Sequence, residues 1–257
     1  MKIGFIGMGN MAFAIASGLM NCGFITGDNI YAYDINQDKL QDIEKQYGLH
    51  ACKNADELVS QVDMVFLAIK PIVVESVISE VKESLSNKAV ISIVAGYNYE
   101  KYCTLLSKDT RHLSVMPNTP AMVQQGMTLF EKDNSLTEEE FVFVKEMFES
   151  IGTVEILPSY LMKAGGAISG CGPAFMYMII EAIADGGVLE GLPRDVAYRL
   201  ASQTMIGSGM MQLQTKEHPG VLKDNVCSPG GITIRGVKTL EDAGVRSAFI
   251  EAIQKAK

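Results

Sequence analysis

The sequence contains 257 residues, of which 47% are hydrophobic and 20% charged, a composition typical of a globular protein rather than a disordered chain. Its 22 Lys plus Arg residues are outnumbered by 30 Asp plus Glu residues, and the net charge of −8 argues against binding to nucleic acid. The five cysteines include no Cys-x-x-Cys pair and the three histidines are isolated, which indicates reduced thiols and no metal centre.

Residues 3–19 are mostly apolar and follow a single lysine, as in a secretory signal peptide. Gly4, Gly7, Gly9 and Asn10 interrupt this run, however, where a signal peptide has a continuous apolar segment. No other segment reaches the roughly 18 uninterrupted apolar residues of a membrane span. We therefore expect a soluble, cytoplasmic protein.

Short apolar segments alternate with amphipathic ones over residues 1–157. Strands are predicted at residues 2–6, 30–33, 64–69, 89–94, 113–116, 127–130 and 154–157. Most of them are rich in Val, Ile and Phe, as strands buried on both faces should be. Helices are predicted at residues 11–21, 37–46, 73–84 and 138–150, and Thr137 and Glu140 have the spacing of a capping box before the last one. This alternation predicts an α/β fold with helices on both faces of a parallel sheet.

From residue 158 onward the strand-like runs disappear, and helices are predicted near residues 160–190, 194–214 and 237–256. Residues 175–180 are all apolar, so this helix has no polar side to face water. We therefore expect two domains, residues 1–157 and residues 158–257, with part of the helical surface contacting a second copy of the chain.

The strongest functional motif is Gly7-Met8-Gly9-Asn10-Met11-Ala12, which follows the first predicted strand and precedes the first predicted helix. In a dinucleotide-binding turn the first glycine makes the turn, the second lets the backbone approach the pyrophosphate, and a small third residue packs the helix against the strand. The phosphates then bind free N–H groups at the helix N-terminus. The alternative is a glycine turn without a ligand.

Asp34 ends the second predicted strand, roughly 20 positions after this motif, where a carboxylate binds the adenosine ribose hydroxyls. The same residue could instead cap the helix that begins near residue 37. A carboxylate repels the additional phosphate of NADPH, and Lys39, one helical turn further on, reduces this repulsion without removing it. Asp34 therefore favours NADH.

The run Ser228-Pro229-Gly230-Gly231-Ile232-Thr233 predicts a second anion-binding turn, suited to a carboxylate substrate. Ser228 is placed to cap a helix whose first residue is Pro229, and Gly230 and Gly231 would expose N–H groups to the anion. Thr233 would present its hydroxyl about one turn further on. A plain capped helix is the other interpretation, and from spacing alone it is the commoner one.

Beyond these patterns, the chain resembles the pyrroline-5-carboxylate reductase family over essentially its whole length. The matching motifs, in order, are IGFIGMGNMA (3–12), FLAIKP (66–71), SIVAG (92–96), MPNTP (116–120), Gly126, SGCGPAF (169–175), HPGVLKD (218–224) and VCSPGGIT (226–233). The resemblance implies a Rossmann domain followed by an all-helical domain that forms a homodimer, often within decamers. It also implies hydride transfer from NADH or NADPH to the imine carbon of 1-pyrroline-5-carboxylate, giving L-proline.

The resemblance further implies roles for individual residues. Those for the cofactor are Gly7, Gly9, Asn10 and Met11 at the pyrophosphate, Asn54, Ala68, Lys70 and Pro71 along the riboses, and Ala95, Gly96 and Asn118 at the nicotinamide. Those for the substrate carboxylate and ring nitrogen are Ser228, Gly230, Gly231 and Thr233, with Thr233 as the catalytic candidate. Cys171, where the family usually has serine, and Cys227 depart from the pattern without touching a proposed contact.

Simpler interpretations stay open for three of these polar residues. Lys70 has the sequence context of a solvated surface lysine, Thr233 that of an ordinary first-turn threonine, and His218 is interpreted as a loop or cap residue.

Two other functions are considered. Hydroxyacid dehydrogenases resemble this chain in the first domain but rely on a lysine and an asparagine four residues apart in the second, and here the residue four positions after Lys163 is Ala167, so that pair is absent. A non-catalytic nucleotide sensor is the second rival.

Overall fold

The computed structural model describes residues 1–257, and the chain forms two compact units, Met1–Gly170 and Cys171–Lys257. The first unit is an α/β fold around one sheet, and the second consists of helices. The predicted fold class is therefore confirmed. The first unit extends past residue 157, the predicted domain boundary, because the helix Met162–Ser169 packs on the strand Gly126–Glu131.

All seven predicted strands are present in an eight-stranded sheet. The strands are β1 Ile3–Ile6, β2 Ile30–Tyr33, β3 His50–Ala51, β4 Met64–Leu67, β5 Ala89–Ser92, β6 Arg111–Met116, β7 Gly126–Glu131 and β8 Gly152–Leu157. Their spatial order is β3-β2-β1-β4-β5-β6-β7-β8, and β1 to β6 are all parallel. The carboxyl ends of these six strands meet at one edge, and the strand order reverses beside β1, where open α/β sheets bind their ligands.

Seven helices accompany the sheet in the first unit. They are α1 Asn10–Asn21, α2 Gln37–Tyr47, α3 Ala55–Gln61, α4 Val74–Val81, α5 Tyr99–Leu105, α6 Glu138–Glu149 and α7 Met162–Ser169. The capping box of α6 is formed, with the Glu140 N–H donating to Thr137 Oγ1 over 3.2 Å and the Thr137 N–H donating to Glu140 Oε2 over 3.0 Å. Sequence periodicity missed α3, α5 and β3 because each is too short to build up a clear period.

The prediction of a wholly parallel sheet is wrong at one edge, where β7 runs antiparallel to β6. Between these strands the chain forms only the short 3-10 turn Thr119–Val123, and no helix crosses a face of the sheet. Without a crossover the chain can only return antiparallel to the strand it has left. Helix α6 then connects β7 to β8, and this pair is parallel again.

The core lies on both faces of the sheet, as expected for helices that cover each side. In β1, Phe5 belongs to the cluster that includes residues of α1, α2 and α6, whereas Ile6 belongs to the cluster that includes residues of α3, α4 and α5. The same alternation separates Phe66 from Leu67 in β4, because successive side chains of a strand point to opposite faces. The sheet edge at which the strands end is therefore built on a core that is packed from both sides.

The second unit contains α8 Gly172–Leu189, α9 Arg194–Thr215, α10 Pro219–Asn225, α11 Ile232–Asp242 and α12 Val245–Lys255. Two of the three predicted helices are therefore divided. The stretch 160–190 is interrupted after α7 and resumes with Pro173 in the first turn of α8, where proline needs no N–H. The stretch 237–256 is broken by Gly244, whose φ of 72° lies in the left-handed region.

This helical unit has almost no interior of its own. Its only buried residues are Ala184, Ala197 and Ala201, where α8 packs against α9. Large apolar side chains such as Met178 (68% exposed) and Leu213 (68% exposed) remain uncovered in the single chain. An isolated unit with so little burial lacks the hydrophobic stabilisation that a folded domain needs.

The stretch Ser159–Leu189 has the length and mean hydropathy (1.5) of a membrane-crossing segment, which the sequence analysis did not expect of any segment. Within its most apolar window, 17% of the residues are buried in the chain. Length and composition alone do not distinguish a membrane span from an apolar helix that packs against a protein partner.

Candidate active site

The glycine-rich turn connects β1 to α1 as predicted. Gly7 has a φ of 95°, and a Cβ there would lie 2.5 Å from the Ala68 carbonyl oxygen, so this position requires glycine. Gly9 is the N-cap of α1, makes no side-chain cap, and has no heavy atom within 4 Å of where a Cβ would lie. The N-terminus of α1 therefore presents uncapped N–H groups with free approach, and this cradle fits the pyrophosphate of a dinucleotide.

Asp34 supports this turn from the end of β2. Its carboxylate accepts the Met8 N–H over 2.7 Å and the Asn36 N–H over 2.9 Å. Asn36, rather than Asp34, is the N-cap of α2, so the alternative role of Asp34 as a helix cap is wrong. Lys39 reaches back from α2 and donates to the Met8 carbonyl over 3.3 Å, which brings one cation to the same turn.

The remaining predicted cofactor residues all follow strands that end at the same sheet edge. They are Asn54 after β3, Ala68, Lys70 and Pro71 after β4, Ala95 and Gly96 after β5, and Asn118 after β6. The Asn54 side chain caps α3 by accepting the Glu57 N–H over 2.8 Å. Burial raises the pKa of the neighbouring Cys52 thiol to about 11, so Cys52 remains protonated at neutral pH and is a poor nucleophile.

The loop after β5 is held by two residues that the sequence analysis did not select. Gly96 has a φ of 78°, and its carbonyl accepts a hydrogen bond from Lys101 Nζ over 2.7 Å. The same ammonium lies 4.8 Å from the ring centroid of Tyr97, whose hydroxyl donates to the Pro71 carbonyl over 3.3 Å. These contacts link the loops after β4 and β5. Neither Tyr97 nor Lys101 belongs to a motif in the sequence analysis, so no local pattern indicated them.

The Asn118 side chain makes two hydrogen bonds within the first unit. Its Nδ2 donates to the Ser169 carbonyl over 2.9 Å, and its Oδ1 accepts the Met127 N–H over 2.9 Å. The side chain is 9% exposed and ties α7 to the start of β7. One Nδ2 hydrogen and one Oδ1 lone pair remain unused, so these contacts hold the side chain in place, and its role at the nicotinamide stays a prediction.

The second predicted site differs from expectation in where its helix begins. Residues 228–231 form a turn in which the Gly231 N–H donates to the Ser228 carbonyl over 3.0 Å. Gly230, with a φ of 69°, follows Pro229 as in a type II turn, and α11 begins only at Ile232 with Gly231 as its N-cap. The prediction that Ser228 caps a helix starting at Pro229 is wrong, because Gly230 requires a left-handed backbone.

This geometry changes which N–H groups can meet an anion. The Gly231 N–H is used inside the turn, whereas the Gly230 N–H has no partner in the chain, and neither has that of Ile232 at the uncapped start of α11. Thr233 is exposed in the first turn of α11. Arg235, which the sequence analysis did not select, donates to the Gly230 carbonyl over 3.0 Å and adds a positive charge beside the turn.

His218 lies at the start of α10 and acts as its N-cap. Its Nδ1 accepts the Gly220 N–H over 3.1 Å, so the interpretation of this histidine as a cap residue is confirmed. An imidazole nitrogen that accepts a backbone N–H is not available there as a proton donor.

The glycine turn, the acid after β2 and the parallel sheet edge define a Rossmann-type dinucleotide-binding protein. A family model described as pyrroline-5-carboxylate reductase dimerisation matches residues 159–257. The pyrroline-5-carboxylate reductase of Escherichia coli is 41% identical over 255 residues, which cover 99% of this chain and 95% of that protein. The chain belongs to the pyrroline-5-carboxylate reductase family.

Further comparisons agree with this assignment. Residues 2–96 match a family model described as NADP oxidoreductase coenzyme F420-dependent. A crystal structure of Plasmodium falciparum pyrroline carboxylate reductase with NADP bound is 33% identical, has a TM-score of 0.90, and covers 99% of this chain and 95% of its own. The enzyme from Streptococcus pyogenes is 32% identical with a TM-score of 0.85, covering 100% of this chain and 98% of its own. The comparisons thus support a nicotinamide cofactor.

Proposed function

We propose that this chain reduces the imine of 1-pyrroline-5-carboxylate to L-proline, the last step of proline biosynthesis, using a reduced nicotinamide cofactor. The observation that carries the proposal is the turn at residues 228–233, which offers unpartnered N–H groups and an exposed hydroxyl in a chain of this family. A nucleotide sensor would need the glycine turn of β1 but no second anion site.

The cofactor would lie along the sheet edge. The N–H groups of α1 at Gly9, Asn10 and Met11 would hold its pyrophosphate, and Gly7 lets the turn approach Ala68. The loops at residues 54, 68–71, 95–96 and 118 would line its riboses and nicotinamide. When bound, the nicotinamide supplies the hydride that is added to the imine carbon.

The substrate would be held by the turn of the second unit. The Gly230 N–H, the Ser228 hydroxyl and the charge of Arg235 suit the carboxylate, whereas Gly231 contributes the absence of a side chain rather than a free N–H. Thr233 would donate or accept a hydrogen bond at the imine nitrogen and fix the face of attack. Because that nitrogen is basic enough to be partly protonated, catalysis requires positioning rather than a strong general acid.

NADH is the proposed preferred form of the cofactor. Asp34 is held at the turn by two backbone N–H groups, and its carboxylate oxygens retain lone pairs that can accept ribose hydroxyls. The additional phosphate of NADPH would meet this negative charge. The ammonium of Lys39 is engaged at the Met8 carbonyl and offsets the repulsion only in part.

The chain is further proposed to work as a homodimer, or as a larger assembly of dimers, in the cytoplasm. The helical unit has three buried alanines and many uncovered apolar side chains, so a second copy would supply the missing core. Packing against that copy would also account for the apolar stretch Ser159–Leu189 without a membrane. The acidic net charge is consistent with no role in nucleic-acid binding.

The function is tested by following the absorbance of reduced nicotinamide with the purified full chain. We expect oxidation of the cofactor that depends on 1-pyrroline-5-carboxylate and yields L-proline in equal amount. Small 3-hydroxy acids with the oxidised cofactor serve as the control for the dehydrogenase alternative, and we expect no turnover. Cofactor binding without turnover of the imine would favour the sensor.

A further inference from the structure

The turn at residues 94–97 follows β5 and includes Ala95 and Gly96, which are predicted to shape the nicotinamide pocket. Its shape is set locally, because the Tyr97 N–H donates to the Val94 carbonyl over 3.3 Å and Gly96, with a φ of 78°, occupies the third position as in a type II turn. These local contacts do not determine where the turn lies relative to the sheet edge. Its position depends on contacts with the elements around it.

Two buried hydroxyl groups connect this turn to α5. Ser92, the last residue of β5, accepts the Val94 N–H at its Oγ over 3.1 Å. The Ser92 and Tyr102 hydroxyls lie 2.6 Å apart and share a hydrogen bond that either of them can donate. Both residues are almost completely buried, and burial raises the pKa of Tyr102, so its hydroxyl stays protonated at neutral pH. Tyr102 is therefore joined to the first residue of the turn through a single side chain.

Tyr102 has a fixed position from which to hold the turn. It is fully buried, and its ring centroid lies 5.6 Å from that of Tyr97, so the same side chain also packs against the last residue of the turn. The helix that carries it is fastened at its start, because the Asn98 side chain caps α5 and Glu131 Oε2 in β7 accepts the N–H of its first residue over 2.7 Å. A phenylalanine in place of Tyr102 would keep the ring contacts, so the hydroxyl contributes only the hydrogen bond to Ser92.

Lys101 precedes Tyr102 in α5 and contacts the turn at a different point. Its ammonium donates to the Gly96 carbonyl over 2.7 Å from the exposed side, whereas the Tyr102 hydroxyl acts from the buried side. Two consecutive residues of α5 therefore hold the turn at its first residue and at its third. An exposed ammonium competes with water for its contact, whereas a buried hydrogen bond is made in surroundings of low dielectric constant and is stronger there. The position of the turn thus depends most on the buried contact.

We propose that Tyr102 is a positioning residue for the nicotinamide ring of the cofactor. Its hydroxyl acts through Ser92 on Val94 and so fixes the backbone of residues 95–96, against which the ring would lie. Tyr102 does not itself touch the cofactor. The proposal rests on the proposed function, which places the nicotinamide at this turn. Hydride transfer depends steeply on geometry, since a displacement of about 1 Å can lower the rate about a hundredfold.

The test is calorimetric titration of the full-length Tyr102→Phe variant, which lacks only the hydroxyl, with two ligands. NADH carries the nicotinamide, whereas ADP-ribose has the adenosine, the pyrophosphate and the second ribose without the ring. We expect the Kd for NADH to rise about fivefold or more and the Kd for ADP-ribose to stay within about twofold of the wild-type value. A role confined to stability would leave the ratio of the Kd for NADH to the Kd for ADP-ribose unchanged. With saturating 1-pyrroline-5-carboxylate, kcat should fall about tenfold.

Thr110→Val is the matched control, because it also removes one buried hydroxyl. Thr110 is 3% exposed and donates to the Leu85 carbonyl over 3.1 Å, just before the amino-terminal end of β6 and away from the turn. Each variant loses one hydrogen bond, which should lower the thermal midpoint by roughly 2–4 °C. Thr110→Val should nevertheless leave the ratio of the two Kd values unchanged.

Ser92→Ala removes the same link from its other side. It should raise the ratio of the two Kd values as Tyr102→Phe does, and it replaces that variant if Tyr102→Phe does not fold. The double variant should bind NADH no more weakly than the weaker of the two single variants. Additive effects would show that the hydroxyl does not act through Ser92 and would overturn the proposal. An unchanged ratio in Tyr102→Phe, an equal change in Thr110→Val, or no binding of NADH by the wild type would overturn it too. If the wild type binds NADH but does not reduce the imine, the proposed function fails, and the ratio of the two Kd values alone decides the role of Tyr102.

Discussion

Two glycines on the same helix allow a direct test of the cofactor site. Gly9 is the N-cap of α1 with φ −74° and ψ −173°, which alanine also adopts, and no heavy atom lies within 4 Å of a Cβ there. For Gly9→Ala, the lower entropy of the unfolded chain contributes about 0.4–1 kcal/mol of stability. The weaker N-cap costs a similar few tenths to ~1 kcal/mol. The free energy of unfolding should therefore change little.

Cofactor affinity should respond quite differently. The methyl group of Gly9→Ala would occupy the space through which the pyrophosphate approaches the N–H groups of α1. Losing one hydrogen bond to a charged group costs about 1.5–3 kcal/mol, which weakens binding roughly ten- to a hundred-fold. The measurements are the Kd for NADH by calorimetry and the unfolding midpoint in urea for the same preparation.

Gly18→Ala is the matched control, in the interior of α1. A Cβ at this position would clash with the backbone carbonyl oxygen of Ala121 and lie 3.2 Å from a methyl of Ile151. Overpacking costs about 1–3 kcal/mol, against up to ~1 kcal/mol gained in helix propensity. This variant should be less stable but bind NADH normally when folded. If Gly9→Ala instead binds NADH within about threefold of wild type, the pyrophosphate does not lie over α1.

Four further outcomes are expected. Thr233→Ala should cost about 1–3 kcal/mol of transition-state stabilisation, which lowers kcat/KM by one to two powers of ten, and it should leave the cofactor affinity unchanged. Full activity of this variant would mean that Thr233 has no catalytic role. NADH should be used at least as efficiently as NADPH, and Asp34→Ser should shift the ratio of kcat/KM toward NADPH. A tenfold or greater preference of the wild type for NADPH, about 1.4 kcal/mol, would show that Asp34 does not repel the additional phosphate. Sedimentation at micromolar concentration should give a dimer or a multiple of it, whereas a well-folded monomer would refute the shared core. Burial opposes ionisation of Glu140, but hydrogen bonds from Arg111 and Thr137 outweigh it and lower the pKa of Glu140. The stabilisation by this carboxylate is therefore present above pH 4.5 and lost as the pH falls through the lowered pKa. Glu140→Gln should reduce the free energy of unfolding by about 1–3 kcal/mol at neutral pH and by much less in acid, and a difference that does not change with pH would exclude the ion pair as its cause.

Local pattern by itself determined the Rossmann half of this protein. The alternation of apolar strands and amphipathic helices identified all seven long strands. The clearest signals came from strands such as β1 and β4, which are buried on both faces and apolar along their length. Gly7 was recognisable because the turn after β1 requires a positive φ and leaves no room for a Cβ. The capping box at Thr137 was visible because it depends on two residues three positions apart.

The tertiary structure decided what depends on distant partners. Three features depend on backbone geometry that residue type does not specify. They are the antiparallel return into β7, the hydrogen bonds that Asp34 accepts from backbone N–H groups, and the use of the Gly231 N–H inside its own turn. The Asn118 side chain joins the Ser169 carbonyl to the Met127 N–H, and these residues lie on separate segments, so no local motif records the contacts. Hydrophobic periodicity and turn-forming residues are local properties of the sequence, whereas a binding site forms wherever packing brings side chains from distant segments together.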